Sequence, residues 1–178
     1  GPGHPELRVD RALLRGLCEL IDAFRDGAGE DCGVMLDLNF NYKPEGIRRI
    51  ARELGPRRLD WLELDLFDPE ALALLRGGME MPLASLEAVL GRRALRPYLA
   101  ARAVDIATMD MQWNGLPEAY RMAALVDAHE INIASHNSAG PLGTLMSAHL
   151  CAAIPNFQVL EYSVDAVPWR DALLTEPL

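Results

Sequence analysis

Paired cysteines are what this sequence most plainly lacks. Cys18, Cys32 and Cys151 are its only three and stand far apart, so neither a disulfide framework nor a cysteine-based zinc site is indicated, and they read as buried, reduced thiols. Clusters of basic residues are lacking as well. Acidic residues number 26 against 17 Lys and Arg, a formal charge of −9, and the arginines are scattered, which argues against a nucleic-acid or anionic-membrane surface. No run of about 18 apolar residues is present to span a membrane, and no secretory pattern opens the chain. Low-complexity tracts are absent. The expectation from these absences is a cytoplasmic protein with neither nucleic acid nor membrane as partner. What is there is ordinary for a globular fold: half of the 178 residues are hydrophobic and 24% are charged, enough for one core.

The chain repeats one arrangement, a short apolar run with a titratable residue near its end. It occurs at Val34–Phe40 with Asp37, Leu59–Asp65 with Glu63, Pro82–Glu87, Val104–Asp110, Ile131–His136 and Phe157–Tyr162 with Glu161. Each titratable residue follows the last by 23 to 26 positions. A helix-like segment fills each gap. Before the first run, Val9–Phe24 is amphipathic, with Leu13, Leu17, Leu20, Ile21 and Phe24 on one face. Pro44 opens the next helix and Gly55 closes it, with Ile47, Ile50, Ala51 and Leu54 inward; Asp68-Pro69-Glu70 opens another and Gly77-Gly78 ends it. Pro97 should limit or kink the helix over 92–103. Met111–Gly115 reads as a loop, and helices follow at about 116–130 and from Asn137 through Ala153. Gly1–Pro5, containing His4, reads as loop, and the chain after Tyr162 as proline-punctuated coil.

Strands alternating strictly with helices predict a parallel sheet with right-handed crossovers. A complete eight-stranded barrel needs about 250 residues. Six βα units therefore mean either an open doubly wound sheet or most of a barrel whose other strands lie outside residues 1–178, and the opening loop favours the second.

Active sites of such folds lie at the carboxyl ends of the strands. A single acid there is ordinarily a solvated turn residue or a helix cap; the shared register of several is what points to a site. Asp37, Glu63 and Glu87 end three consecutive strands spaced about 4.8 Å apart, so their charges would repel unless a hard divalent cation joined them. An all-oxygen set without cysteine or clustered histidine suggests Mg²⁺, with Mn²⁺ possible, rather than Zn²⁺. Asp110 and His136 on adjacent strand ends could pair, the carboxylate orienting the ring and raising its basicity. Asp65 shares a face with Glu63 and competes with it, whereas Asp60 and Asp105, at strand starts, should be structural.

Taken together these motifs resemble the barrel domain of the enolase superfamily, in the branch of mandelate racemase, muconate-lactonising enzyme and the acid-sugar dehydratases. Asp37-Leu-Asn39 is similar to its Asp-x-Asn, Trp61-Leu-Glu63 to its Trp-x-Glu, and Pro82–Glu87 to the segment carrying its third ligand. Glu63-Leu64-Asp65 departs from the usual Glu-Glu-Pro, and Leu86-Glu87 from Gly-Glu. The resemblance implies a (β/α) TIM-type barrel, incomplete in this chain and without the family's N-terminal capping domain. It implies metal ligation by Asp37, Glu63 and Glu87, acid–base work by His136 with Asp110, and substrate contact by Glu161 and Asn39. The implied reaction is Mg²⁺-dependent abstraction of the proton α to a carboxylate through a metal-stabilised enediolate. Its small-molecule partner would be a 2-hydroxy acid or sugar acid, and the protein a homo-oligomer. Dehydration of a sugar acid is favoured, because hydroxyl departure gives a paired Asp–His acid a task. Racemisation, epimerisation or cycloisomerisation, an unrelated metal-dependent aldolase, and a non-catalytic barrel fragment are the alternatives.

Overall fold

The computed structural model describes residues 8–138, 140–163, 167, 169 and 171–176. The loop expected at Gly1–Pro5, with His4, lies outside the described residues, as does part of the terminal coil. The chain divides into two compact units, Gly1–Ser85 with Ala100–Asp105, and Leu86–Leu99 with Ile106–Leu178.

In the first unit, α1 (Arg11–Ala28) starts at Asp10, whose carboxylate accepts the Leu13 N–H at 2.8 Å, as an N-cap should. Its buried line runs through Cys18 and Ile21, while Leu20 and Phe24, expected inward, are exposed. The reason lies one step round the helix. Arg25 follows the buried line and anchors it, its guanidinium donating to the carbonyls of Cys32 and Arg58. Cys32 itself is exposed, unlike Cys18 and Cys151, because it sits in the turn before the first strand.

Strands β1 (Met35–Asp37), β2 (Trp61–Glu63) and β3 (Leu83–Ser85) are parallel neighbours in that order, with Asp37 opposite Glu63 and Glu63 opposite Ala84. They are shorter than their apolar runs. β1 stops because Asn39 turns left-handed, φ 55°, so Asn39 leaves the strand face on which Asp37 stands. Hydrogen bonds nevertheless continue past the strands, Leu38 N to Glu63 O at 2.8 Å and Leu64 N to Ala84 O at 3.1 Å. Between them, α2 (Pro44–Leu54) buries Ile47, Ile50, Ala51 and Leu54, and α3 (Pro69–Gly77), capped by Asp68, buries Leu72 and Leu75. The α2 face is that of the sequence pattern, and α3 starts and ends where its signals place it. Asp60 and Asp105 are clips at strand entrances: Asp60 accepts Val34 N–H at 2.8 Å, and Asp105 accepts Leu83 N–H at 3.0 Å while pairing with Arg76.

In the second unit, β4 (Ile106–Ala107), β5 (Asn132–Ser135) and β6 (Phe157–Leu160) are again parallel and sequential, and Asp110 forms one further parallel bridge with His136. α4 (Gly91–Ala100) ends three residues past Pro97. Met111–Gly115 is not a plain loop. Asp110 caps a four-residue helix there, α5 (Met111–Asn114), before α6 (Leu116–Asp127) begins at Gly115. The last α-helix, α7 (Pro141–Ala153), buries Gly143, Ser147, Leu150 and Cys151. Its small residues allow close approach to α5. A short 3-10 turn at Asp171–Leu173 interrupts the coil expected after Tyr162. No helix of the described residues is long and apolar enough to cross a membrane.

Candidate active site

The sequence-predicted site residues fall into two groups, one in each unit. In the first, Asp37 and Glu63 stand in register on adjacent parallel strands. Asp37 is braced locally, since Asn39 donates its backbone N–H to Oδ1 at 2.6 Å and its side-chain amide to Oδ2 at 3.3 Å. Asn39 is thus a buttress of Asp37. Glu63 accepts from the Trp61 indole N–H at 3.4 Å, and Asp65, its competitor, accepts the Ser85 hydroxyl at 2.6 Å.

The second unit gathers Glu87, Asp110, His136 and Glu161. The Asp110 carboxylate, 1% exposed, meets His136 Nδ1 at 2.8 Å through Oδ2 and accepts the Trp113 backbone N–H at 2.7 Å through Oδ1. On the other side of the ring, Nε2 lies 3.4 Å from Glu87 Oε2 and 3.9 Å from Glu161 Oε2. Three carboxylates around one imidazole favour its charged form. The bond to Asp110 is the largest influence, burial opposes it, and Glu87 and Glu161 add to it, so the pKa of His136 is raised to about 9. Glu161 is held by the next residue along, Asn137, whose backbone N–H donates to its carboxylate at 2.8 Å and whose amide donates to its carbonyl at 3.0 Å.

Glu87 owes its position to a strained neighbour. Leu86 has φ 97°, a conformation costly for any residue but glycine. The left-handed turn persists although the side chain there is leucine, because that side chain is fully buried. Trp113, Asn114 and Asn137 are not legible as site residues in the sequence. Leu86 carried a signal, standing where the resemblance expects glycine before the acid, and Asp110 offered another, as an N-cap three residues before Trp113.

Among the described residues no three His, Cys, Asp or Glu side chains are gathered closely enough to hold a metal ion as they stand. The donor chemistry of Asp37 and Glu63 nonetheless fits one. Two carboxylates in register on neighbouring strands are the hard oxygen ligands that Mg²⁺ or Mn²⁺ selects.

The profile of the enolase C-terminal domain-like family matches residues 6–178. The chain belongs to the enolase superfamily. It falls in the mandelate racemase and muconate-lactonising enzyme branch, and its βα units are part of a (β/α) barrel of the enolase type. A D-xylonate dehydratase of Haloferax volcanii is 31% identical over 182 residues, which span 98% of this chain and 44% of that protein. A D-galactarolactone cycloisomerase of Agrobacterium fabrum is 27% identical, over 89% of this chain and 45% of its own length. Among solved structures, a Burkholderia xenovorans protein provisionally named L-alanine-DL-glutamate epimerase, bound to magnesium and fumarate, superposes with a TM-score of 0.94 at 44% identity, covering 98% of this chain and 43% of its own. This enolase-superfamily chain thus spans less than half the length of each of these relatives.

Proposed function

We propose that the protein abstracts the proton α to the carboxylate of a hydroxy acid, and that its preferred outcome is dehydration of an acid sugar. The observation that carries this reading is the clamped ring of His136. Asp110 occupies Nδ1 at 2.8 Å, so Nε2, on the side of Glu87 and Glu161, is the nitrogen left to take or deliver a proton. Asp37, Glu63 and Glu87 would hold Mg²⁺, which supplies positive charge to the substrate carboxylate as negative charge builds there. Asp110 keeps the neutral ring protonated on Nδ1 and balances the imidazolium once it forms. Glu161, half exposed and fixed by Asn137, holds a substrate hydroxyl. His136 takes the α-proton on Nε2 and then gives it to the β-hydroxyl, which departs as water, and the product is an enol that becomes a 2-keto acid. The dehydratase relatives support this outcome.

An isomerase is the second reading. It is favoured by the cycloisomerase relative and by the epimerase name of the 44% identical structure. Both readings are tested together by incubating the protein with Mg²⁺ and acid sugars in heavy water. A new 2-keto acid carrying deuterium at C3 supports dehydration, and α-deuteration without it supports isomerisation. His136→Asn should abolish both. If neither appears, or if His136→Asn leaves the rate unchanged, the proposal fails. Calorimetric Mg²⁺ titration against Glu87→Gln tests the ligand set separately, with loss of binding expected.

A further inference from the structure

Trp113 is unexplained by anything above. A large apolar ring left 54% exposed beside a cluster of carboxylates and an imidazole gains little from its surroundings within the chain. Its place is nevertheless built. The same buried carboxylate that meets His136 Nδ1 accepts Trp113's own backbone N–H, so Asp110 holds the imidazole ring and the backbone that carries the indole. Asn114 secures the following residue: its amide donates to Asp110 O at 2.9 Å, and its side-chain oxygen accepts Gly91 N–H at 2.8 Å. The indole and imidazole centroids stand 5.6 Å apart with the planes tilted by 50°. A tilted pair leaves indole surface uncovered.

We infer that Trp113 is a specificity-determining residue whose exposed indole face binds the C–H-rich carbon chain of the substrate, next to the carbon that His136 serves. The inference rests on the reading of the site as acting on hydroxy acids. An aromatic face carries negative charge density, so it attracts the weakly positive C–H side of a polyhydroxylated chain and offers nothing to a carboxylate. The contact grows with every carbon beyond the α position. Being held in place beforehand, the ring loses little freedom on binding. Trp113 therefore selects for chain length, favouring acids of four to six carbons over the two-carbon acid.

The test measures calorimetric binding of glycolate, threonate and gluconate, in Mg²⁺ buffer, to the parent, Trp113→Phe and Trp113→Ala, with α-proton exchange followed in parallel. Trp113→Ala should weaken gluconate by about tenfold, the size of one aromatic contact, weaken threonate less, and leave glycolate within roughly twofold. Trp113→Phe should recover most of the loss, which also guards against a folding defect. Equal weakening of all three acids would mean that Trp113 only positions His136, and no weakening would mean that it binds nothing; either overturns the inference. Length-dependent loss without α-proton exchange in the parent would keep the inference and sink the proposed reaction. Exchange in the parent with no dependence on length in Trp113→Ala would do the reverse, and a parent that binds none of the acids overturns both.

Discussion

Replacing Asp110 by Asn keeps the outline of a side chain that is 1% exposed and changes one arm from acceptor to donor. The bond from the Trp113 N–H needs an acceptor, so the amide oxygen stays there, where the carboxylate Oδ1 accepts at 2.7 Å. The NH₂ arm then faces His136 Nδ1 and, as a donor, requires that nitrogen to be bare. In the neutral ring the proton moves to Nε2, pointing toward Glu87 at 3.4 Å. The nitrogen meant to take a proton already has one. In Ser-His-Asp enzymes the same tautomer error lowers turnover by about 10⁴-fold, and a fall of at least about 10³-fold is expected here on the same grounds. Stability changes less. A charge-assisted bond of about 1.5–3 kcal/mol is exchanged for a neutral one worth about 1 kcal/mol. A net loss of about 0.5–2 kcal/mol lowers Tm by about 1–8 °C in a chain of this size. Losing the carboxylate also removes the main cause holding His136 up to about 9, so the ring should titrate at lower pH. The assays are α-proton exchange, a thermal melt and ¹⁵N NMR of the imidazole at a pH where the ring is neutral. Exchange within tenfold of the parent, or a ring proton still on Nδ1, would refute the reasoning.

Burial pushes the thiols of Cys18 and Cys151 upward, Cys151 to about 11, while Cys32 is exposed, so a disulfide reagent at mildly alkaline pH should titrate Cys32 first and the others only on unfolding; three equally fast thiols would contradict this. Because the folded chain keeps the Cys151 proton to about 11 and the unfolded chain releases it near 9.0, denaturant melts should show stability falling as pH rises through that interval. Gly46→Ala would set a methyl 2.7 Å from Val9 Cγ2, an overpacking worth about 1–3 kcal/mol against the roughly 1 kcal/mol that Ala offers a helix. Val9→Ala should restore the difference in a double-mutant cycle, and additive effects would argue against the clash. Leu86→Gly trades a buried side chain for relief of the φ 97° strain, whereas Leu83→Gly has no such relief. Urea melts should find Leu86→Gly milder by about 1–3 kcal/mol, and equal losses would mean that the turn is unstrained.

How much of the site could be read in the chain follows from which distances the physics makes local. Asp68 as a cap and the inward face of α2 are settled within a few residues by hydrogen bonding and periodicity, and both match the structure. Asp60 and Asp105 were readable as structural because a strand entrance needs an acceptor for its first N–H. Leu20 and Phe24 misled because apolar spacing says where a helix could bury itself, not which of two adjacent lines does. β1 is shorter than its apolar run because Asn39 turns left-handed two residues beyond Asp37.

By itself the sequence determined the alternation of strand and helix and the recurrence of a titratable residue at strand ends, since these depend on short-range propensity and a repeat near 25 residues, while the resemblance to the family rested on the motifs Asp37-Leu-Asn39, Trp61-Leu-Glu63 and Pro82–Glu87. Tertiary structure alone decided that the carboxylate expected to pair with His136 would be buried and set 2.8 Å from its Nδ1, and that Leu86 would keep a glycine's conformation beside Glu87. Those outcomes hang on contacts between segments more than 20 residues apart or on burial around a single side chain. Neither leaves a period in the chain to read.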